Sequence, residues 1–381
     1  MTTVFIPREP SGEQRVAATP ETVRHYVKNG LDVLVESGAG AAAHFSDAEY
    51  EAAGATLAAA SALSTADVVL KVGPPTPAEA ATMKERALLI SFLAPQRNLD
   101  LVRALLERHI TALAMELIPR TTKAQAMDAL SSQASIAGYK AVLLAATRLG
   151  KYFPLLMTAA GTIKPARVVI MGAGVAGLQA VATAKRLGAV VEVSDIRAAV
   201  KEQIESLGGR FIELPMEESG EGAGGYAREM GEDFLRRQRE IVSRHLEHAD
   251  VVITTAQIPG KRAPVLLTRE MVEQMTPGSI VVDLAVESGG NCELSQPDQE
   301  VLHHGVLIIG HSHLPSDTPH DASTLYSRNV QHLLLYLWKD GSVRLDFEDE
   351  ITAGSALTHG GAVRHAPTAA LIQGGSSWVR S

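Results

Sequence analysis

Three glycines at one junction constrain this chain more than any other feature. Gly172-Ala173-Gly174-Val175-Ala176-Gly177 follows the apolar run RVVIM directly and precedes LQAVATAKRLG directly. A strand must end there and a helix must begin. The first glycine permits a tight turn, the second lets backbone approach a pyrophosphate, and the third lets helix pack on strand. The helix start adds free N–H groups and the positive end of its dipole. The next apolar run, AVVEVSD, ends in Asp195, 18 residues beyond Gly177. A carboxylate there can accept both hydroxyls of a ribose and repels a 2′-phosphate, which predicts NAD(H) rather than NADP(H). The expected nucleotide contacts are residues 172–177 with Asp195, Ile196 and Arg197. Arg197 could instead accommodate a 2′-phosphate. Its place at a helix start reads as solvated. A purely structural glycine turn is the competing explanation, and the matching strand, helix and acid disfavour it.

The same alternation runs along most of the chain. TTVFIP, LDVLVES, VVLKVG, LLISFL and TALAMEL read as buried strands with amphipathic segments between them. ARVVIMGA, AVVEVSD, RFIEL, ADVVITTA, SIVVDLA and VLIIG form a second series. Such a rhythm predicts an α/β fold, with two Rossmann-like doubly wound parallel sheets and a cleft between them. The expected limits are 136–319 for the nucleotide domain and 1–135 plus 320–351 for a discontinuous first domain. Ser131 and Ser132 are expected to cap the long helix that links them. VRLDFED is expected to return to the first domain as a strand. Residues 352–381, rich in Gly, Ala and Ser, read as a flexible tail.

Composition narrows the function. A length of 381 residues with 46% hydrophobic content suits two domains with large cores. A formal net charge of −8 without a basic block argues against nucleic acid. The start, MTTVFIPREP, lacks a signal-peptide pattern, and no run is long enough to span a bilayer. The single cysteine, Cys292, fits a reducing compartment. A cytoplasmic chain is expected.

IPREPSGEQRVAATPETV resembles the alanine dehydrogenase and transhydrogenase superfamily. RTTKAQAMDALSSQASIAGYKAV, MGAGVAGLQA, SDIR, GAGGYAREMGEDF, TTAQIPGKRAPVL and VDLAVESGGNCEL are similar to one branch, over residues 1 to about 350. That branch is the NAD(H)-binding component of proton-translocating NAD(P)+ transhydrogenase. The resemblance implies an oxidoreductase active only with partners: a component carrying NADP(H) and a membrane component conducting protons. It implies a homodimer, held at the inner membrane through those partners. It also implies that Arg120, Gln125, Asp128 and Ser131 surround the nicotinamide, and that Tyr226 belongs to a loop closing over the nucleotide. Gln257 would stand at the adenosine pocket, where the branch usually has an apolar residue, and Asp317 where it often has Arg.

The alternative is an alanine dehydrogenase or a plain NAD-binding module. A dehydrogenase needs a general acid/base and cationic anchors. Arg15 and Lys71 stand where such anchors belong in that family, but Ala94 occupies the place of its histidine, and Glu287 replaces an Asp. Transfer between two nicotinamides moves no proton at the reacting carbons, so loss of the histidine suits the transhydrogenase branch. Histidines 303, 304, 311, 313 and 320 lack a companion carboxylate or cysteine at metal-site spacing. They read as loop residues, and no metal is expected. Cys292 reads as a small core or loop residue.

Overall fold

Alternate residues of a strand point to opposite faces, and in both halves of the chain both faces are buried. In the computed structural model, which describes residues 1–214, 231–258 and 261–374, the strands follow in chain order. The first six are β1 (Thr3–Ile6), β2 (Asp32–Glu36), β3 (Thr56–Ala58), β4 (Val68–Leu70), β5 (Leu88–Ser91) and β6 (Thr111–Ala114). A hairpin, β7 (Leu156–Thr158) and β8 (Gly161–Ile163), precedes the second series. That series is β9 (Arg167–Met171), β10 (Val190–Ser194), β11 (Arg210–Phe211), β12 (Val251–Thr254), β13 (Ile280–Asp283), β14 (Gln299–His303) and β15 (Val306–Gly310). Last come β16 (Trp338–Lys339), β17 (Ser342–Val343), β18 (Ala356–His359) and β19 (Ala362–Val363).

Two units result: Met1–Gln133 with the chain from Ser316 onward, and Ala134–Pro315. The first has the strand order β19-β18-β6-β5-β4-β1-β2-β3 and the second β11-β10-β9-β12-β13-β15-β14. Leaving out β18, β19 and β14, which pair antiparallel, both sheets follow the doubly wound order 3-2-1-4-5-6. In the first sheet Val4, Ile6, Val68 and Leu70 pack into one core, while Phe5, Val69 and Leu89 pack into the other. In the second, Val168, Ile170, Ile253 and Val282 face one core, with Val169, Met171, Val252 and Val281 on the opposite side. Burial on both faces is why these strands read as continuous Val/Ile/Leu runs.

Two expectations fail here. VRLDFED does not return as a sheet strand: only Ser342–Val343 is extended, and it pairs with Trp338–Lys339 in a small hairpin. The return is made further on, by β18, antiparallel to β6 (Ala356↔Leu113). Residues 352–374 are therefore no flexible tail. Leu357 and Thr358 are fully buried, Thr358 Oγ1 donates to the Ile110 carbonyl at 2.8 Å, and a helix follows at Ala366–Gly374. Backbone pairing along the β6 edge supplies the order that Gly/Ala/Ser composition would deny. The edge strands β3 and β14 also escape the sequence reading, because neither is buried on both faces and neither carries a Val/Ile-rich run.

Candidate nucleotide site

The glycine junction sits at the C-terminal end of β9, the first strand of the second sheet in chain order. Gly172 has φ +104°, and a Cβ there would lie 2.5 Å from Thr255 Oγ1. That hydroxyl donates to the Gly172 carbonyl at 3.0 Å. A Cβ on Gly177 would lie 1.9 Å from the same carbonyl oxygen. These two glycines build the turn. Gly174 differs: it is exposed, and nothing lies within 4 Å of where its Cβ would be. It is the cap residue of the 12-residue helix Val175–Arg186, whose first N–H groups have no acceptor within the helix. Ala173 is buried and Val175 is exposed. A fourth glycine escapes sequence reasoning. Gly138, in helix Ala129–Arg148, lies so close to the Ala176 carbonyl that a Cβ would be 2.0 Å from its oxygen.

Asp195 follows β10 and is buried. Its Oδ2 accepts the Ala173 N–H at 2.7 Å and an Arg197 guanidinium N–H at 2.9 Å. Its Oδ1 accepts the Arg197 backbone N–H at 2.8 Å and its Nε–H at 3.0 Å. Arg197 is thus not a solvated helix-start residue. Its planar fork matches the carboxylate geometry, and the pair is only slightly exposed. The four donors match the acceptor capacity of a carboxylate. Ribose hydroxyls would have to take the place of the Arg197 fork. Ile196 is partly buried against the core beneath. Gln257 is exposed, and its Nε2 donates to the Leu284 carbonyl at 2.9 Å.

Behind this edge lies a polar network that the sequence does not announce. Asp283, fully buried at the end of β13, accepts N–H groups from Ala285, Asn291 and Cys292 and hydroxyls from Thr254 and Ser295. Asn291 accepts from the Ala256 N–H and donates to the Ala256 and Pro264 carbonyls. These bonds hold the loops after β12 and β13 together. Cys292 is buried among them, and burial pushes its thiol up to about 11.

The remaining candidates lie in the other unit. Arg120 and Gln125 are exposed, Gln125 within the short helical turn Thr122–Met127. Asp128 caps helix Ala129–Arg148: its Oδ1 accepts the Ser131 N–H at 2.9 Å and its Oδ2 the Ser131 hydroxyl at 2.6 Å. This corrects the expectation for Ser131 and Ser132. The helix begins before them, and the Ser132 hydroxyl is engaged by the Ala129 carbonyl and Asn329. Asp317 is exposed, and Tyr226 lies outside the described residues.

Arg15 and Lys71 are buried in the first unit. Arg15 forks onto Glu13 (2.8 and 2.6 Å) and donates to Gln133 Oε1 at 2.8 Å. Burial alone would raise the Glu13 carboxyl, but the hydrogen bonds and charge of Arg15 outweigh it and hold it low. Lys71 Nζ lies 3.4 Å from Glu9, whose carboxyl burial pushes up. Ala94 brings no acid/base group. It takes φ +42° and donates its N–H to Glu116 at 2.5 Å. Both cations face internal carboxylates, and no imidazole stands at position 94.

Against known proteins, residues 5–137 match the family model described as alanine dehydrogenase/PNT, N-terminal domain, and residues 141–366 its C-terminal counterpart. The first portion of NAD(P) transhydrogenase subunit alpha from Rhodospirillum rubrum is 52% identical over 374 residues, covering 95% of this chain and 97% of that one. The alanine dehydrogenase of Bacillus subtilis is 30% identical over 337 residues, covering 86% and 83%. The crystal structure of transhydrogenase from Sinorhizobium meliloti superposes with a TM-score of 0.87 at 44% identity, covering 95% of this chain and 99% of that one.

Proposed function

This chain belongs to the alanine dehydrogenase/PNT family, on its transhydrogenase branch, and from that premise we propose that it holds NAD(H) for hydride exchange with NADP(H) on a partner subunit. The open backbone at Gly174, over the start of helix Val175–Arg186, carries this reading. It is the one glycine of the junction that internal packing does not require. The helix N–H groups would receive the pyrophosphate, and Asp195 the adenosine ribose, once Arg197 yields. Asp128 and Ser131 offer an acceptor and a hydroxyl to a carboxamide, Arg120 a cation, and exposed Gln125 reaches towards the partner's nucleotide. Bound NAD(H) supplies the carbon that gives or takes the hydride. The chain's own task is to hold that ring aligned and shielded from water. Tyr226 would help to cover it. Coupling to proton movement belongs to a membrane partner. Among the described residues no helix is long and apolar enough to cross a membrane.

The decisive experiment mixes the purified chain, an NAD analogue and NADPH, with and without an NADP(H)-binding transhydrogenase subunit. Reduction of the analogue is expected only with the partner. Gln125→Ala should slow it by about ten-fold while NADH titration stays unchanged, as for a positioning group. Alanine-dependent NAD+ reduction by the chain alone would sink the reading and favour the dehydrogenase. Reduction of the analogue without the partner would also count against it.

We further propose a homodimer built on β7 and β8. Around this hairpin Tyr152, Leu155, Met157 and Ile163 are exposed by 56, 55, 74 and 40%. An isolated two-stranded hairpin is marginal in water, so such apolar side chains call for a covering surface. Sedimentation at micromolar concentration should give a dimer, and Met157→Glu should shift it towards monomer. A monomeric parent chain would refute this.

A further inference from the structure

We propose a binding site for a divalent transition-metal ion formed by Glu273, His303 and His304, distinct from the nucleotide site and independent of its assignment. Along the sequence these two adjacent histidines have no ligand at metal-site spacing. The fold supplies a carboxylate from 30 residues upstream, at the end of helix Arg269–Glu273. His303 Nε2 lies 2.8 Å from Glu273 Oε1 and His304 Nε2 lies 3.9 Å from the same oxygen. The donor atoms all fall within 4.8 Å of one another, and the two imidazoles stack with centroids 4.8 Å apart. Ligand bonds of about 2.0–2.2 Å around a tetrahedral ion put donors roughly 3.5 Å from each other, so only small side-chain rotations are needed.

The backbone accounts for the placement of the two imidazoles. His303 ends β14, paired with Val306 at the start of β15, so His304 and Gly305 form the two-residue turn, with φ +48° and +79°. Asn, Asp or Gly normally takes the first place of such a turn, and histidine is among the side chains that also enter the left-handed region. The turn admits a histidine at this place and sets its imidazole against that of His303. The turn is also fixed relative to the helix: the Gly278 N–H donates to the Gly305 carbonyl at 2.7 Å. The three side chains are 33, 21 and 60% exposed, so water can fill the remaining coordination positions. Two imidazoles and one carboxylate suit Zn2+, Ni2+ or Cu2+, and not Mg2+ or Ca2+, which prefer all-oxygen sites.

The test is calorimetric titration of the chelator-treated full chain with Zn2+, alongside Co2+ absorption spectra. One equivalent should bind, and Co2+ should show ligand-field bands. His304→Asn, which tolerates the left-handed backbone, and Glu273→Gln should each weaken Zn2+ binding by about ten-fold or more. NADH titration serves as the control for folding and should be unchanged. Absence of stoichiometric uptake, or uptake undiminished in both variants, would overturn the site.

Discussion

Gly138→Ala and Gly177→Ala are each expected to lower the stability of the second unit by about 3 kcal/mol or more, at the upper end of overpacking costs. In a unit of this size that lowers its unfolding transition by about 10 °C. The reason is hard contact. The new methyl carbons would lie 2.0 Å from the Ala176 carbonyl oxygen and 1.9 Å from that of Gly172. Both neighbours are backbone and cannot rotate away, so a helix or the turn must move. NADH affinity should fall in the same variants, because the displaced atoms are those of the helix start. Gly174→Ala separates the two effects. Its φ is −75° and no atom lies within 4 Å, so the unfolding transition should stay put while NADH binding weakens. Thermal unfolding followed by circular dichroism, with NADH titrated by fluorescence, reads both. A stable Gly138→Ala chain with parental affinity would refute the packing argument. Parental NADH affinity in Gly174→Ala would refute the cradle.

Asp195→Ala should weaken NADH binding by about 30- to 100-fold, or about 2–3 kcal/mol, and erase much of the preference over NADPH. Two hydroxyl bonds to a carboxylate would be worth more than this in isolation. The net gain is smaller because the ligand must displace the fork of Arg197 from Asp195. Once the carboxylate is gone, that guanidinium can turn to a 2′-phosphate, so NADPH should bind more tightly than in the parent. Competitive titration of the two nucleotides measures the ratio. Unaltered NADH affinity in this variant would show that the ribose does not sit there.

Sequence carries the parts of this molecule that local chemistry dictates. Gly172 and Gly177 are legible because each answers a backbone demand of the turn itself, and Gly174 because it stands between them at the start of the helix. The central strands are legible because burial on both faces leaves an unbroken apolar run. What escapes depends on distant partners. Gly138 looks like any helical glycine until Ala176 is packed against it. Asp283 and Asn291 gather donors and acceptors from separate loops, and nothing in VDLAVESGGNCEL says which carboxylate will be buried. Arg197 reads as solvated because its fork onto Asp195 is a rotamer choice, invisible in the letters SDIR. Glu273 joins His303 and His304 only after a helix and a hairpin are laid side by side. Residues 352–374 mislead because composition reports what a segment costs to order, not what it can pair with.

Because β18 follows β6 only after the whole second sheet, the order of synthesis matters. Its partner β6 leaves the ribosome early, with one edge bare of hydrogen-bond partners until Ala356 and Thr358 have been synthesised. Meanwhile the second sheet emerges as one continuous stretch, with all its strands present by Gly310. Vectorial synthesis therefore completes the second unit while the first still carries an unprotected strand edge, the kind of surface on which nascent chains associate. A message cut short between the codons for Pro315 and β18 would release a product whose second unit is whole and whose first sheet is still open.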